Sequence, residues 1–259
     1  MNPDLQRFWT ERQQAHGHTG WTDPVVYAYD QLERLALIRA AISNKVVKNG
    51  LALDFGCGTG DFSRLLLETG FTVCGYDPFV RPKIRSGKFI YANTYEKIPF
   101  AQQAVDVVLA VTTLTHIIEE ADLLDALAVI RKFIKPKGDV FMLEYALDSS
   151  AERDKHSLRS DYQTFRTVAE WSHLLGVSAL PLLSITPFPQ PFISPSTGFL
   201  EYRRTPLARI GRLCSRSRTL KLFYAPLLRW HAAKYVGTKA SIANPEAPSP
   251  LKLIHCLLG

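Results

Sequence analysis

The centre of the chain alternates between short apolar runs and amphipathic stretches. Residues 51–55 (LALDF) and 105–111 (VDVVLAV) are mostly apolar runs, typical of strands that are buried on both faces. Apolar residues at helical spacing follow these runs, over 61–70 and over 121–134. Three further strand candidates are residues 71–77, 88–93 and 139–145. This alternation predicts a parallel sheet with helices on both faces.

Helical segments flank this α/β centre. Asp23 and Pro24 mark the start of a long helix, and residues 1–48 are expected to form an N-terminal helical cap. After the centre, Thr167 and Glu170 have the spacing of a capping box, which predicts the start of a short helix.

We therefore expect a doubly wound α/β fold with a mostly parallel, seven-stranded sheet and an inserted helical lid. Residues 49–185, together with a last strand at 231–239, are expected to form the core. Residues 186–230 would then form the lid, and residues 240–259 a loose tail.

A glycine-rich segment, Asp54-Phe55-Gly56-Cys57-Gly58-Thr59-Gly60, joins the first predicted strand to the next helix. Glycines at such a junction allow a sharp turn and let a ligand approach bare main chain. A dinucleotide site would show the pattern G-x-G-x-x-G, but here the third glycine comes early and Asp61 takes the place of the last. An acid at the start of the helix would also repel a pyrophosphate.

Two other segments complete the pattern. Asp77, in Gly75-Tyr76-Asp77-Pro78, ends the next strand, where a carboxylate can accept hydrogen bonds from both hydroxyls of a ribose. Further on, NTYEKIPFAQQAVDVVLAVTTLTHI is followed by a helix, by KPKG at 135–138 and by DVFMLEY.

These three features resemble the class I S-adenosylmethionine-dependent methyltransferases, type 11/12-like, over about residues 50–145. D-x-G-x-G-x-G resembles the first motif of that family, and the longer stretch resembles its "LPF…FDVV…LxH…LKPGG" sequence. The resemblance implies a Rossmann-like fold and S-adenosyl-L-methionine as co-substrate. That nucleoside has no phosphate and carries a cationic sulfonium, so an acid beside the turn is acceptable.

The resemblance also implies roles for single residues. The three glycines of the turn would line the methionine part of the cofactor, Asp54 would act through water or the amino group, and Asp77 would hold the ribose. Thr94 and Tyr95 fall where the family has an acid and a small residue beside the adenine, so Thr94 is a departure and a weaker acceptor. The expected cofactor-binding residues are Asp54, Gly56, Cys57, Gly58, Gly60, Asp77, Pro78, Thr94, Tyr95 and Val111.

Methyl transfer is an in-line displacement, so the enzyme must orient an acceptor and deprotonate it if it is a hydroxyl. His116 follows the fourth strand and Glu144 closes the fifth, which makes them the candidate catalytic residues, with a packing role as the alternative for each. The segment at 16–30, rich in histidines and aromatic residues, is a candidate to close the pocket; plain packing on the sheet is the alternative. No His/Cys/Asp cluster has metal-ligand spacing, so we expect no metal.

Charge sets the C-terminal part apart from the rest. The net charge is +7, yet residues 1–201 carry twenty Lys/Arg against twenty-three acids. Residues 202–240 hold ten Lys/Arg and no acid, and an apolar helix face is predicted there. Its members are Leu207, Ile210, Leu213 and Cys214. Such a segment favours contact with an anionic membrane or a cover over an acidic substrate; a lid with solvated arginines is the alternative.

The composition fits a folded protein, with 46% hydrophobic and 21% charged residues. Four scattered cysteines, a polar N-terminal segment and the lack of a long apolar run favour a cytoplasmic location, with peripheral contact at the inner face of the membrane left open.

Three functions stay open. The first is O-methylation of a small molecule or glycan in bacterial surface-polysaccharide or natural-product biosynthesis, which a resemblance around YDQ-x-x-R-L and VTTLTHI favours. The second is an RNA methyltransferase that grips phosphates with the basic segment, which the absence of a recognisable RNA-binding module disfavours. The third is a non-catalytic scaffold with a vestigial cofactor pocket.

Overall fold

The computed structural model describes residues 3–43, 45, 50–152, 162–190, 195–214, 217–236 and 249–258. The strands in this part are β1 (Leu51–Phe55), β2 (Thr72–Tyr76), β3 (Phe89–Ala92), β4 (Val105–Val111), β5 (Ile134–Leu147), β6 (Arg166–Thr167), β7 (Leu182–Pro187) and β8 (Leu251–Leu257). The α-helices are α1 (Pro3–His16), α2 (Pro24–Ile42), α3 (Asp61–Glu68), α4 (Glu120–Phe133), α5 (Val168–Val177), α6 (Thr197–Arg203), α7 (Pro206–Cys214) and α8 (Arg218–Ala232).

Seven strands lie side by side in the order β3-β2-β1-β4-β5-β8-β7, and the short β6 pairs with the end of β5. The five strands from β3 to β5 are parallel, whereas β8 runs antiparallel to both of its neighbours. The predicted doubly wound, mostly parallel fold is confirmed. Strand order reverses between β1 and β4, and a crevice for a ligand forms at the carboxyl ends of strands at such a switch point.

Helices cover both faces of the sheet. Ile38 and Ile42 of α2 and Leu65 and Leu66 of α3 pack on one face, and α4 and α5 pack on the other. The predicted helix starts are correct, since the Asp23 carboxylate accepts from the Val25 and Val26 amides, at 2.8 and 3.2 Å. Thr167 and Glu170 likewise form the expected capping box at the start of α5.

The prediction of a last strand at 231–239 and a loose tail at 240–259 is wrong. Helix α8 extends to Ala232, and residues 237–239 lie outside the described part. The last strand is β8, buried between β5 and β7. Its two polar residues have distant partners: the Lys252 ammonium pairs with the Asp148 carboxylate, and His255 Nε2 lies 2.8 Å from an oxygen of Asp139.

The connection from β7 to β8 contains helices α6, α7 and α8, which pack over α2. Val26 and Tyr29 of α2 share one cluster with Phe199, Tyr202 and Leu228 of these helices. The basic segment therefore forms a second layer outside α2. None of the described helices is both long enough and apolar enough to span a bilayer.

Shortening a core side chain of β8 should destabilise the protein. Because Ile254 is fully buried, Ile254→Ala should lower the free energy of unfolding by about 2–5 kcal/mol, measured by urea denaturation. Leu183→Ala, at a mostly exposed position of β7, is the matched control and should change it by less than about 0.5 kcal/mol. Equal, small effects of the two substitutions would contradict the placement of β8 in the sheet.

Candidate functional site

The glycine-rich turn lies at the carboxyl end of β1. Gly56, Gly58 and Gly60 have φ values of +78°, +50° and +84°, in the left-handed region that favours glycine. The amides of Gly56 and Cys57 both donate to the Tyr76 carbonyl of β2, at 2.7 and 2.9 Å. The turn is therefore tied to the neighbouring strand through its main chain.

Three loops converge on this turn, one at each glycine. A Cβ atom at Gly56 would lie 2.1 Å from Thr113 Cγ2, in the loop after β4. A Cβ at Gly58 would lie 3.1 Å from Thr19 Oγ1, and one at Gly60 would lie 2.6 Å from Ile84 Cδ1. Side chains of the N-terminal segment, the β2–β3 loop and the loop after β4 therefore lie directly against the glycines, and the contact at Gly58 is the least close of the three.

Asp54 lies beneath the turn rather than on its surface. The side chain is buried, and its Oδ2 accepts a hydrogen bond of 2.5 Å from Ser63 Oγ of α3. Burial raises the pKa of Asp54 to about 7, against the opposing effect of the Ser63 hydrogen bond. Asp54 therefore links the strand end to the first turn of α3.

Asp77 holds the same turn from the side of β2. Its Oδ2 accepts from the Gly58 amide at 2.9 Å, and its Oδ1 accepts from the amides of Phe79 and Val80, at 2.9 and 2.8 Å. Burial raises the pKa of Asp77, whereas these three amides act to lower it. The carboxylate is thus fixed at the edge of the turn where the sequence predicted it.

The other predicted cofactor residues surround this edge. The Tyr95 ring lies 4.8 Å from the Tyr76 ring and 5.9 Å from the Phe55 ring, measured between centroids. Thr94 immediately precedes the short 3-10 helix that begins at Tyr95. Val111 is the last residue of β4. The predicted residues therefore lie at the ends of β1, β2 and β4 and in the segment after β3, with Pro78 following Asp77.

His116 lies in a 3-10 helix after β4 and contacts the N-terminal helix. Its Nδ1 is 2.7 Å from the Tyr162 carbonyl, and its ring meets the Trp9 ring edge-on at 4.7 Å. Phe8 stacks on the Tyr162 ring at 4.5 Å. Burial lowers the pKa of His116 to about 4, so the imidazole is neutral at neutral pH. Because a carbonyl can only accept, the proton sits on Nδ1 and the lone pair on Nε2, 3.4 Å from Gln163 Nε2.

Glu144 is fully buried and holds the loop after β4. Its Oε1 accepts from the amides of Thr113 and Leu114, both at 2.9 Å, and its Oε2 accepts from the Thr115 amide at 3.1 Å. Burial raises its pKa to about 7, opposed by these three amides. Thr113, whose side chain meets Gly56, is therefore positioned by Glu144.

A polar cluster that the site predictions did not contain as a group lies between α2 and the ends of β4 and β5. Arg34 Nε is 2.7 Å from Asp30 Oδ2, which also accepts from Trp21 Nε1 at 2.8 Å. Arg34 Nη1 donates to Thr112 Oγ1 at 3.2 Å. Nearby, Gln190 Nε2 donates to the Tyr145 hydroxyl at 3.0 Å. We call this set the polar cluster; it comprises Trp21, Asp30, Arg34, Thr112, Tyr145 and Gln190.

Arg34 and Gln190 were absent from the sequence predictions. Asp30 and Arg34 continue a buried stripe of α2 that includes Val26 and Ile38 at intervals of four residues. The presence of charged residues inside an apolar stripe is the sequence signal that could have identified Arg34. Gln190 follows β7 and carries no comparable signal.

Two buried oxygens of the polar cluster lack a hydrogen-bond partner within the described residues. They are Gln190 Oε1 and Asp30 Oδ1, on side chains that are almost wholly buried. A buried acceptor without a donor is costly, so both atoms suit a ligand that donates hydrogen bonds. Within the same described ranges, no group of three His, Cys, Asp or Glu side chains could hold a metal ion.

Comparison with known proteins agrees with this geometry. A family profile described as a methyltransferase domain matches residues 27–180, more than half of the chain. The chain belongs to this methyltransferase-domain family. The match contains the glycine turn, Asp77, His116 and Glu144, and it confirms the family that the sequence motifs indicated.

Curated relatives match part of the chain. An uncharacterized protein of Methanocaldococcus jannaschii is 30% identical over 135 residues, covering 51% of this chain and 55% of that protein. An uncharacterized methyltransferase of Geobacillus sp. (strain WCH70) is 26% identical over 128 residues, covering 43% of this chain and 59% of that protein. The chain spans about half the length of these curated relatives.

A solved methyltransferase structure shares the fold over nearly the whole chain. It is the Burkholderia thailandensis 1,6-didemethyltoxoflavin-N1-methyltransferase with bound 1,6-didemethyltoxoflavin and S-adenosylhomocysteine. The TM-score is 0.55 at 14% identity, with 98% of this chain and 87% of that chain covered.

The buried Asp54 should make stability depend on pH. Because folding raises its pKa to about 7, its protonated form stabilises the protein below the unfolded value of about 4, and this contribution is lost as pH rises through 7. Asp54→Asn cannot ionise. The unfolding free energy of the native protein, relative to that of the variant, should therefore fall by roughly 4 kcal/mol between pH 4 and pH 8 in urea titrations.

The control is Glu68→Gln, an exposed carboxyl at the end of the same helix. Its stability should follow that of the native protein at every pH. A constant difference between Asp54→Asn and the native protein across this range would show that Asp54 ionises normally in the fold.

Proposed function

We propose that this chain is an S-adenosylmethionine-dependent methyltransferase that acts on a hydroxyl of a small molecule or glycan. The observation that carries the proposal is the left-handed glycine turn held against Asp77 at the switch point of the sheet. Bare main chain at this position can receive a nucleoside, and a carboxylate beside it can receive a ribose.

The residues present suit that cofactor. Each carboxylate oxygen of Asp77 can accept more than one hydrogen bond, and Oδ2 receives one, from the Gly58 amide. A ribose hydroxyl can therefore be added without displacing the amide. Asp61 follows the turn at the start of α3, and its carboxylate disfavours a phosphate there. Thr94, where the family has an acid, would accept a hydrogen bond from the adenine amine less strongly than a carboxylate would.

The bound cofactor supplies an electrophilic methyl group, and this chain supplies the place for the acceptor. Thr113 Oγ1 donates to the Gly56 carbonyl at 3.3 Å, and its neighbour Thr112 accepts from Arg34. Thr112, a member of the polar cluster, is therefore the neighbour in sequence of the residue that contacts the turn. Asp30 Oδ1 and Gln190 Oε1, which have no hydrogen-bond partner among the described residues, would accept hydrogen bonds from hydroxyls of the acceptor and orient one of them for in-line attack.

His116 and Glu144 are assigned to positioning in this proposal. A neutral imidazole with a pKa of about 4 is a weak base at neutral pH, and its Nδ1 proton is held by the Tyr162 carbonyl. Glu144 has its oxygens on three amides of the loop that carries Thr113. Both residues set the loop after β4, and His116 also seats Trp9 of the N-terminal helix.

A small polar acceptor is favoured over RNA. The buried polar cluster suits a hydroxylated molecule, because its two charged residues, Asp30 and Arg34, pair with each other. Its two buried oxygens without a partner among the described residues accept hydrogen bonds and would not attract phosphates. The solved Burkholderia relative holds a small acceptor together with S-adenosylhomocysteine, which is consistent with this choice.

Asp77→Asn should weaken binding of S-adenosylmethionine by about 10-fold to 100-fold, measured by isothermal titration calorimetry. The amide keeps the size of the carboxylate but loses its charge and one accepting oxygen. Glu68→Gln is the matched control and should bind as the native protein does. Unchanged affinity in a well-folded Asp77→Asn protein would refute the ribose role.

Incubation with methyl-labelled cofactor and fractionated cell extract should place label in a small-molecule or glycan fraction. Tyr145→Phe should lower kcat/KM for that acceptor by about 10-fold while cofactor affinity is unchanged, because only the acceptor side loses a hydroxyl. Tyr202→Phe, in the outer helical layer, is the control and should retain native turnover. Label in RNA would contradict the acceptor class, and cofactor binding without any transfer would favour a non-catalytic role.

A further inference from the structure

An apolar surface lies on the outer side of helices α7 and α8. Among the described residues, eleven large hydrophobic side chains are exposed, and six of them belong to these two helices. Phe223 is 76% exposed, Leu213 70% and Trp230 59%, far above what packing against the protein allows. We call this set the α7–α8 patch; its members are Ile210, Leu213, Leu220, Phe223, Leu227 and Trp230.

The patch is continuous along each helix. Leu220, Phe223, Leu227 and Trp230 recur at intervals of three and four residues, which places them on one face of α8. Ile210 and Leu213 share a face of α7 in the same way. A contiguous exposed apolar face of this kind marks an interaction site rather than scattered surface residues.

The orientation of α7 bears on two expectations from the sequence. The apolar face of Leu207, Ile210, Leu213 and Cys214 was expected either to meet an anionic membrane or substrate, or to pack on the domain with the arginines solvated. The structure buries Ala208 and Gly211 of α7, and a Cβ atom at Gly211 would lie 2.7 Å from Leu228 Cδ2. Because these small residues let the helices approach closely, Ile210 and Leu213 are left exposed, whereas Leu207 packs in part on the cluster around α2.

Positive charge accompanies the patch. Arg209 and Arg204 are exposed, and neither forms an ion pair with a described residue. Lys234 places its ammonium 3.7 Å from the centre of the Trp230 ring, at one end of the patch. The sequence contains no Asp or Glu between 202 and 240, so no acid of this segment offsets these cations.

From this combination we infer that the α7–α8 patch docks on the surface of an anionic phospholipid bilayer. Helices that lie in a membrane interface carry bulky apolar residues, including Trp and Phe, beside Lys and Arg that meet anionic headgroups. A second copy of the chain is a poorer occupant, because a symmetric contact would bring the same cations together without acids to pair them.

Two ion pairs tie α7 and α8 to helices that border the candidate site. Arg212 of α7 lies 3.4 Å from Asp23, which caps α2, and Arg229 of α8 lies 3.8 Å from Asp61 at the start of α3. The inference rests on the surface alone and does not require methyl transfer.

The test is co-sedimentation of the full chain with vesicles. Vesicles of phosphatidylglycerol and phosphatidylcholine should retain the protein, retention should weaken as salt is raised, and vesicles of phosphatidylcholine alone should retain much less. Phe223→Ser with Trp230→Ser should weaken binding by about 10-fold or more, because two exposed apolar side chains are lost from the interface. Arg204→Glu with Arg209→Glu should weaken it on anionic vesicles in particular.

Matched controls lie on other surfaces. Val177→Ser with Leu183→Ser removes two hydrophobic residues that are also more than half exposed, and Lys88→Glu reverses an exposed charge; each should leave vesicle binding unchanged. Thermal unfolding verifies that the variants are folded. The Asp77→Asn protein should still bind vesicles, which separates failure of this inference from failure of the proposed activity.

Three results would overturn the inference. One is no retention on anionic vesicles. Another is retention that the patch substitutions leave unchanged. The third is a dimer, seen by sedimentation velocity, that the Phe223 and Trp230 substitutions dissociate while no vesicle binding occurs, which would assign the patch to a second copy of the chain.

Discussion

The site depends on one arrangement of main chain, the left-handed turn at Gly56, Gly58 and Gly60. Its amides bond to the Tyr76 carbonyl and to the Asp77 carboxylate, so the turn is fixed to β2 before any ligand arrives. The lack of side chains lets three loops approach within contact distance. Any side chain at Gly56 would push away the loop after β4. The glycine turn proposed to bind the cofactor would then separate from the polar cluster proposed to bind the acceptor.

Buried acids maintain this arrangement. Asp54, Asp77 and Glu144 each give up solvation and receive hydrogen bonds from a hydroxyl or from backbone amides. Burial raises the pKa of all three, so the neutral form of each is favoured more than in water. Such groups reduce stability at neutral pH but hold loops in one geometry, which a methyl transfer between two bound molecules requires.

Much of the fold was predictable because its signals are local. The apolar run of residues 105–111 predicted β4, the glycine-rich segment predicted the turn after β1, and the Thr167–Glu170 capping box predicted the start of α5. Strand β8 was missed because Lys252 and His255 interrupt its apolar residues, and their partners Asp148 and Asp139 are more than a hundred positions away. Gln190 was missed for the same reason: its role arises from contact with Tyr145 in the folded chain.

The outer helices show how packing decides an orientation that the sequence leaves open. Helical spacing correctly identified Ile210 and Leu213 as sharing a face, but it could not say which way that face points. Close approach of α7 to Leu228 requires the missing side chain of Gly211, so the face of α7 that carries Ala208 and Gly211 points inward. The large residues then remain in a segment whose charges are all positive, so the same packing that completes the layer over α2 also creates a surface suited to anionic lipid.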